Sequence, residues 1–478
     1  MATAWRFDGY LRLCQRLGDQ LRPSASKLFI GVRVNAIQPD ASAKRPNGSL
    51  SFFFPVGSLR PRMAVMAVIA LAYRTAWALL RHPPFATGEA ANVAVAFAHG
   101  NGFADAFRVG QGPSAHVLPL APMIGGLIYS IFGIRTVLSE TLLFLWSTSL
   151  VFFCYVVLAK CMERLRSPSA SVLSGLVLLA LLPIYTTKEV FDFRIWEGAL
   201  GLALGAALLN ILLSAEDDAA PRHLDLWLAI LPAVTFFVSP PIGLAAATAE
   251  GIFLWRHRRR INVFKVIFGI VLTSAVIIGP WAARNQLLLG SPVLLRDNFG
   301  LELAIANYPS AVHPADIAHE LDERLTQIHP RNSDQAYNAM LSNGGEVRYS
   351  RHLQSETIQW MMANPAFVTR IWLRHATEML FTSPWMFQSG PPGKLATARS
   401  VLVAIVAVLG MTGLAVGVRN NRCYIYIVAY TIIPLLCYLP FQPISRYTWL
   451  IYPMLLYLTT GLCVRLNRKS SSGSAGVV

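Results

Sequence analysis

Apolar runs of about 20 residues recur along this chain and alternate with short polar stretches. A helix of that length can cross a hydrocarbon core about 30 Å thick. The runs lie at about 63–81, 116–133, 137–159, 169–187, 197–214, 225–254, 261–282, 398–418, 422–441 and 446–465. The pattern therefore predicts an all-α polytopic membrane protein with about ten transmembrane helices.

The sixth run, 225–254, is too long for one straight membrane helix. It contains Pro232, Pro240 and Pro241, and proline removes a backbone donor and clashes with the preceding helical turn. We expect two short helices or a re-entrant pair in this part of the chain.

Composition agrees with a membrane protein. Hydrophobic residues make up 54% of the 478 residues and charged residues only 14%, whereas soluble proteins carry about 25% charged residues. If the chain were soluble, its net charge of +16 would suggest nucleic acid as a partner. In a membrane protein Lys and Arg gather in cytoplasmic loops instead, so we expect the lipid bilayer and no nucleic acid. The six cysteines form no CxxC pair, and no cofactor or metal site is expected.

Charge and hydropathy divide the chain into five parts. If Lys and Arg mark the cytoplasmic side, both termini are cytoplasmic. The parts are a basic cytoplasmic arm, partly disordered, at 1–62; an N-terminal transmembrane module at 63–284 with an extracytoplasmic first loop at 83–115; a small, mainly helical extracytoplasmic domain at 285–397; C-terminal transmembrane helices at 398–466; and a flexible tail at 467–478. The low cysteine use favours a bacterial inner (plasma) membrane.

The first loop carries an acidic residue where an apolar run ends. Glu89 is followed by apolar residues at helical spacing, among them Val93 and Phe97. We expect Glu89 to begin a short amphipathic helix on the bilayer surface. Four glycines between 100 and 112 then let the chain turn back toward the membrane. A carboxylate at such a boundary is expected to be functional or paired, because its burial alone is costly.

The predicted extracytoplasmic domain contains three amphipathic segments, at 314–329, 347–363 and 366–382. The last mixes Arg370 and Arg374 with aromatic residues, a pattern typical of a helix at the membrane surface. Within the predicted spans, Arg74 and Glu140 are each expected to have a buried partner, since ionisable groups in hydrocarbon are costly.

Four segments together resemble a known family. They are GPSAHVLPLAPMIGGLIYSIFG (112–133), GPWAARNQLLLGSPVLLRDNFGLELAIAN (279–307), NPAFVTRIWLRHATEMLF (364–381) and ISRYTWLIYPMLLYL (444–458). In order and spacing they resemble the membrane-embedded type-C glycosyltransferases, of the protein O-mannosyltransferase and aminoarabinose-transferase-like group. The resemblance covers about 63–466. It departs from the family at Gly88–Glu89, where many relatives carry an acidic pair, and at Ser114–His116, where many carry a lysine.

The resemblance implies transfer of a sugar from a polyprenyl-phosphate carrier to an acceptor on the extracytoplasmic face. The acceptor is a protein hydroxyl, a glycan or a lipid. Glu89 is then the candidate catalytic base, and we expect desolvation at the membrane edge to raise its pKa toward neutrality. The alternative role is an acidic residue that stabilises the helix N-terminus through the dipole.

The phosphate leaving group requires cationic or N–H donors. His116, Arg284, Arg296 and Arg446 are the candidates, and each has the alternative of snorkelling or pairing with a neighbouring acid. Further candidate substrate-binding residues are Asn298, Tyr447 and Asp105. Asp105 is alternatively a turn residue, and turn chemistry explains Asn298 as well.

Two other functions stay open. A transporter or flippase of lipid-linked glycans would show internal repeats with broken helices in both halves; the sixth run suggests one half, and no counterpart is found. A catalytically inactive relative with an assembly role is suggested by the single carboxylate at Glu89.

Overall fold

The structure is a computed structural model that describes residues 59–81, 85–217, 219–388 and 393–473. Within these ranges the chain is helical without strands, and an isolated antiparallel bridge joins Ala104 to Pro113. The predicted basic arm up to residue 58, residues 83 and 84 of the predicted first loop, and the last five residues of the predicted tail lie outside the described residues.

In chain order the α-helices are α1 Leu59–Arg81, α2 Glu89–Ala98, α3 Leu120–Phe132, α4 Val137–Arg164, α5 Ser169–Leu181, α6 Thr186–Phe191, α7 Glu197–Glu216, α8 Leu224–Val238, α9 Pro240–His257, α10 Val263–Leu289, α11 Phe299–Ala306, α12 Ile317–Ile328, α13 Asp334–Ser342, α14 Glu346–Ala363, α15 Pro365–Leu380, α16 Lys394–Asn420, α17 Tyr424–Tyr438, α18 Ser445–Trp449 and α19 Tyr452–Gly473. The three amphipathic segments predicted from the sequence correspond to α12, α14 and α15 and are confirmed as helices.

Four of these helices, α4, α7, α10 and α16, are long and apolar enough to cross a membrane. A fifth span is counted if Ser169–Leu181 and Thr186–Ile195, which meet at 68°, form one bent crossing. The described chain is therefore an all-helical integral membrane protein. The predicted count of ten spans is not confirmed, because breaks leave several apolar helices with only 10–17 residues.

The long sixth run is broken at Ser239, which confirms the prediction of two short helices. Ser239 has extended dihedral angles, φ −150° and ψ 94°, and separates α8 from α9. It precedes Pro240, and a residue before proline is driven out of the helical region by contact with the proline ring. Pro240 then occupies the first helical position of α9, where no backbone donor is needed.

Small residues let α16 and α19 approach closely. A side-chain carbon added to Gly410 would lie 2.7 Å from the Leu455 carbonyl oxygen, and one added to Gly413 would lie 2.6 Å from that of Leu458. Close backbone approach of this kind increases van der Waals contact, the main attraction between helices in lipid. Glycine is therefore required at both positions of this helix pair.

The charged residues predicted inside spans have buried partners. Arg74 Nη2 lies 2.6 Å from Glu189, and Arg194 Nη1 lies 2.6 Å from Glu140. Tyr129 donates a further hydrogen bond to Glu140 at 2.7 Å. The prediction of buried partners for Arg74 and Glu140 is confirmed, and the pairs join helices that are distant in sequence.

The segment between α10 and α16, described over 290–388, is called the helical insertion below. Leu301, Ala304, Tyr349 and Leu353 form its core with other apolar side chains. Phe107, from the loop between α2 and α3, belongs to the same core. The first loop and the helical insertion therefore pack as one unit, and the candidate site lies between them.

Candidate functional site

Glu89 is the first residue of α2, which confirms that it begins a short helix. The preceding Gly88 has φ 106°, a conformation that glycine adopts readily and other residues rarely do. The Glu89 side chain is 22% exposed, so its carboxylate remains accessible at the junction with the helical insertion.

Two residues of the helical insertion face the Glu89 carboxylate. Arg331 Nη1 lies 3.4 Å from Glu89 Oε1, and His329 Nε2 lies 3.9 Å from the same oxygen. Both residues directly follow the end of α12 at Ile328. No local pattern connects Arg331 to Glu89, which lies 242 positions earlier in the chain.

These neighbours overturn the expectation that the pKa of Glu89 is raised. Burial alone would raise it, but the charges of His116, His329 and Arg331 outweigh burial and lower the pKa of Glu89 to about 2. The two imidazoles are themselves neutral at neutral pH, so Arg331 is the charge that keeps Glu89 ionised there. The sequence pattern identified a desolvated acid but could not show which cation would be folded against it.

The two histidines form an aromatic cluster with Phe107. The ring centre of Phe107 lies 4.5 Å from that of His116 and 5.6 Å from that of His329. Burial lowers the pKa of His116 to about 3 and holds the pKa of His329 below its usual range. The Arg331 backbone N–H donates to His329 Nδ1 at 3.3 Å, which leaves the His329 proton on Nε2, facing Glu89.

Glu346, the first residue of α14, holds the loop that carries His116. Its carboxylate accepts hydrogen bonds from the Gln111 side chain at 2.9 Å, the Ser114 hydroxyl at 2.9 Å and the Ala115 N–H at 2.5 Å. The Ser114 oxygen in turn accepts from the His116 N–H at 3.1 Å. A buried carboxylate with several donors fixes a loop more firmly than neutral hydrogen bonds do.

Asp297 lies beside Glu346 and also faces His116. Its Oδ1 is 3.9 Å from His116 Nδ1, and its side chain is 3% exposed. Neither oxygen of Asp297 has a donor among the described residues. Burial, followed by the Glu346 charge, raises the pKa of Asp297 well above its usual range, and burial raises the pKa of Glu346. Ionising both of two adjacent buried carboxyl groups is costly, so the protonated form of Asp297 is favoured more strongly here than in water.

The acid pair predicts a specific dependence of stability on pH. Because the pKa of Asp297 is raised in the folded protein, the folded state binds more protons than the unfolded chain between the usual value near 3.8 and the raised value. The stability from this pair is therefore full below that window and is lost as pH rises through it. A difference of one proton corresponds to about 1.4 kcal/mol per pH unit.

We expect Asp297→Asn to remove this titration, so that its unfolding midpoint falls less than that of the wild type as pH rises above the usual value near 3.8. Thermal unfolding in detergent micelles measures the effect. Asp322→Asn changes an exposed acid of α12 and serves as the control. Parallel pH curves for Asp297→Asn and the wild type would contradict a raised pKa of Asp297.

The side chains of Asp105 and Arg284 make hydrogen bonds to the backbone of the first loop. Asp105 has φ 62°, and its Oδ1 accepts a hydrogen bond from the Gly112 N–H at 2.9 Å, which closes the turn. Arg284 Nη1 donates to the Ser114 carbonyl oxygen at 2.9 Å, and its Nη2 donates to the Phe103 carbonyl oxygen. Both side chains thus shape the loop around His116.

Arg296 and Arg446 lie in a second charged cluster next to the histidines. Arg296 Nη1 is 3.6 Å from Glu197. Burial alone would lower the pKa of Arg296 and Arg446, but the nearby carboxylates of Glu197 and Glu302 help to raise it. Arg446 Nε is buried and makes no hydrogen bond in the described chain. Beside burial, the positive charge of Arg296 helps to lower the pKa of His116. The cluster is therefore continuous with the Glu89 site.

Tyr447 and Asn298 border this cluster. The Tyr447 ring stacks on Tyr438 at 4.2 Å, and the Arg446 guanidinium lies 5.4 Å from the centre of the Tyr447 ring. Asn298 Nδ2 donates to Glu302 Oε1 at 3.3 Å. The fold thus gathers Glu89, His116, Arg296, Asn298, Arg446 and Tyr447 in neighbouring clusters, while Asp105 and Arg284 support the loop.

Comparisons with known proteins give no match by family model and none among curated sequences. Two solved structures, both of an oligosaccharyltransferase from Archaeoglobus fulgidus, are similar. AglB in complex with an inhibitory peptide and a dolichol-phosphate is 11% identical, with a TM-score of 0.45 over 87% of this chain and 51% of that chain. The apo crystal structure is 14% identical, with a TM-score of 0.47 over 87% of this chain and 52% of that chain. This chain spans about half the length of those chains, and the likeness assigns no activity to it.

Proposed function

We propose that this protein is an integral membrane glycosyltransferase that moves a sugar from a polyprenyl-phosphate carrier to an acceptor on the extracytoplasmic face. The observation that carries the proposal is the Glu89 carboxylate, which is ionised and accessible. Arg331 and His329 hold it beside His116 and the cluster of Arg296 and Arg446. An acid and two cations at one membrane-adjacent junction suit a reaction in which a sugar leaves a phosphate.

Glu89 acts on the acceptor side of the reaction. As the bond between the sugar carbon and the phosphate oxygen breaks, positive charge develops on the sugar, and a fixed carboxylate stabilises it. The acceptor oxygen bonds to that carbon, and its proton becomes strongly acidic as the bond forms. A carboxylate with a low pKa can therefore take the proton late in the step, without the raised pKa that the sequence suggested.

Arg296, Arg446 and His116 act on the donor side. The leaving phosphate departs with the electron pair of the broken bond, and guanidinium groups stabilise it by charge-assisted hydrogen bonds. The Arg446 Nε, which is buried without a hydrogen bond, is one donor that a phosphate oxygen would satisfy. Tyr447 and Asn298 are the proposed contacts to the rest of the substrate. Asp105 is proposed to border the substrate, while its hydrogen bond to the Gly112 N–H keeps the loop turn closed.

Replacing Arg446 tests the donor side. We expect Arg446→Met to weaken binding of a polyprenyl-phosphate sugar about tenfold to a hundredfold, because a hydrogen bond to a charged group contributes about 1.5–3 kcal/mol. Arg446→Lys should retain part of the affinity. Titration of reconstituted protein with labelled polyprenyl-phosphate sugars measures the effect, and Arg419→Met, at the exposed end of α16, is the control. Equal affinity in all four proteins would remove Arg446 from the donor site.

One assay separates the proposal from the two alternatives. Wild-type protein in liposomes is supplied with labelled sugars on polyprenyl-phosphate and dolichyl-phosphate, together with hydroxyl acceptors. Labelled acceptor indicates a transferase. Movement of the intact labelled lipid across the bilayer without product indicates a flippase. Binding without either outcome indicates an inactive relative.

A further inference from the structure

Helix α15 lies against the end of an apolar helix. His375 Nδ1 lies 2.8 Å from the Leu439 carbonyl oxygen, which immediately follows α17. Gln442 donates to Glu378 at 3.1 Å in the same region. After α15 the chain continues to Lys394, where α16 begins, and α16 is one of the helices long enough to cross a membrane. These contacts place α15 at the level where the apolar bundle ends.

The exposed side of α15 mixes large apolar residues with Thr369 and Thr377, and its buried side holds Val368, Ile371 and Met379 as well as two polar groups. Phe367 is 47% exposed and Leu373 is 65% exposed, whereas His375 and Glu378 are buried. Arg370 is also exposed and lies between the two apolar residues. A helix whose outer face meets water normally exposes polar residues there rather than Phe and Leu. Exposed apolar residues with an interspersed arginine are typical of a helix in the headgroup region.

The neighbouring helix α14 changes character along its length. Its first half exposes Arg348 and Arg351, while its last turns expose Ile358 and Met362. Met362 is 77% exposed. The apolar end of α14 adjoins the start of α15, and we call residues 358–373 the hairpin tip. The tip is thus an exposed apolar surface continuous with the membrane-adjacent face of α15.

A cleft of about 310 Å³ lies within the hairpin tip. Its walls include Met361, Met362, Pro365, Val368 and Trp372. Trp372 Nε1 donates to Asn307 at 3.1 Å, so the indole N–H is satisfied. Methionine side chains adapt to irregular apolar ligands. The cleft therefore suits a flexible hydrocarbon chain rather than a polar ligand.

We propose that the hairpin tip inserts into the membrane leaflet beside the apolar bundle and that its cleft holds an acyl chain of a bilayer lipid. The contacts of α15 at the end of α17 favour lipid over a protein partner. Arg370 is positioned to meet the phosphate of a lipid headgroup. This binding surface is separate from the glycosyltransferase site and does not depend on it.

Hydroxyl-radical footprinting of the wild-type protein tests the insertion. The protein is placed as single copies in nanodiscs of phosphatidylethanolamine and phosphatidylglycerol. Leu341, at the end of α13, is 52% exposed and is a matched reference for Leu373, which is 65% exposed. The exposed fraction of each side chain, scaled to the rate of Leu341, gives the rate expected in water. We expect modification several-fold slower than that rate at Leu373, Phe367 and Met362. Modification of Leu373 at or above the rate of Leu341 would overturn the insertion.

Photo-crosslinking tests the cleft. Phosphatidylcholine with a diazirine on its acyl chain is included in the nanodisc, and labelled residues are mapped by mass spectrometry. We expect labels on Met361 and Met362 that are lost in Thr369→Trp, which fills the cleft from an exposed position. Thr412→Trp, on an exposed position of α16, is the control. Unchanged labelling in Thr369→Trp, or protection of the tip only in nanodiscs that hold two copies, would overturn acyl-chain binding. Neither readout uses sugar transfer, so failure here is distinct from failure of the proposed function.

Discussion

Replacing Glu89 with glutamine is expected to lower sugar transfer about a hundredfold to ten-thousandfold. Glutamine keeps the size of the side chain but removes the negative charge that would stabilise the electron-poor sugar, and it cannot accept the acceptor proton. It also leaves Arg331, 3.4 Å away, without its anionic partner. Initial rates with a labelled polyprenyl-phosphate sugar in liposomes measure the effect.

The matched control for Glu89 is Glu356→Gln, because Glu356 lies in the helical insertion with a side chain 62% exposed. We expect this control to transfer sugar at the wild-type rate. Retained donor binding in Glu89→Gln would show that the loss concerns the chemical step. Equal transfer by Glu89→Gln and the wild type would remove Glu89 from the mechanism.

Replacing Arg74 with methionine is expected to destabilise the folded protein by about 3–5 kcal/mol, because it leaves a buried carboxylate uncompensated. Glu189 also accepts hydrogen bonds from Tyr155 and, at 3.1 Å, from Trp449. These donors come from α4 and α18, so an uncompensated charge at Glu189 strains contacts among several helices. The free energy of unfolding in mixed micelles, followed by tryptophan fluorescence, measures the change.

A double variant separates the charge from the packing. Arg74→Met combined with Glu189→Met removes both ions, and we expect it to recover most of the lost stability, since an apolar pair can replace a buried ion pair at little cost. If the double variant is as unstable as Arg74→Met, packing around the arginine rather than the unpaired carboxylate controls stability.

The sequence predicted several local features because their causes lie within a few residues. Pro240 follows Ser239 directly and breaks the long apolar run. Gly88 precedes Glu89 and permits the abrupt start of α2. The amphipathic helices α12, α14 and α15 appear in the spacing of their apolar residues. The count of spans was harder to predict, because hydropathy does not show where a run of apolar residues kinks.

The surroundings of the candidate site could not be predicted in the same way. Glu89 and Arg331 are separated by 242 positions. Glu346 accepts a hydrogen bond from the N–H of Ala115, which lies 231 positions earlier. No local pattern encodes such contacts. The pKa of Glu89 was therefore predicted in the wrong direction, since desolvation was visible in the hydropathy and the neighbouring cation was not.

The amino-acid sequence alone determined that this is a helical membrane protein, where most of its helices begin, and that an acid stands at the start of the first polar loop. These features follow from hydrophobic periodicity and from backbone preferences of proline and glycine, which act over a few residues. Only the tertiary structure decided that Arg331 faces Glu89, that burial and Glu346 raise the pKa of Asp297, and that Arg296 lies near His116. Charge and burial at a site depend on which distant segments are folded together, and that information is not local to any stretch of the chain.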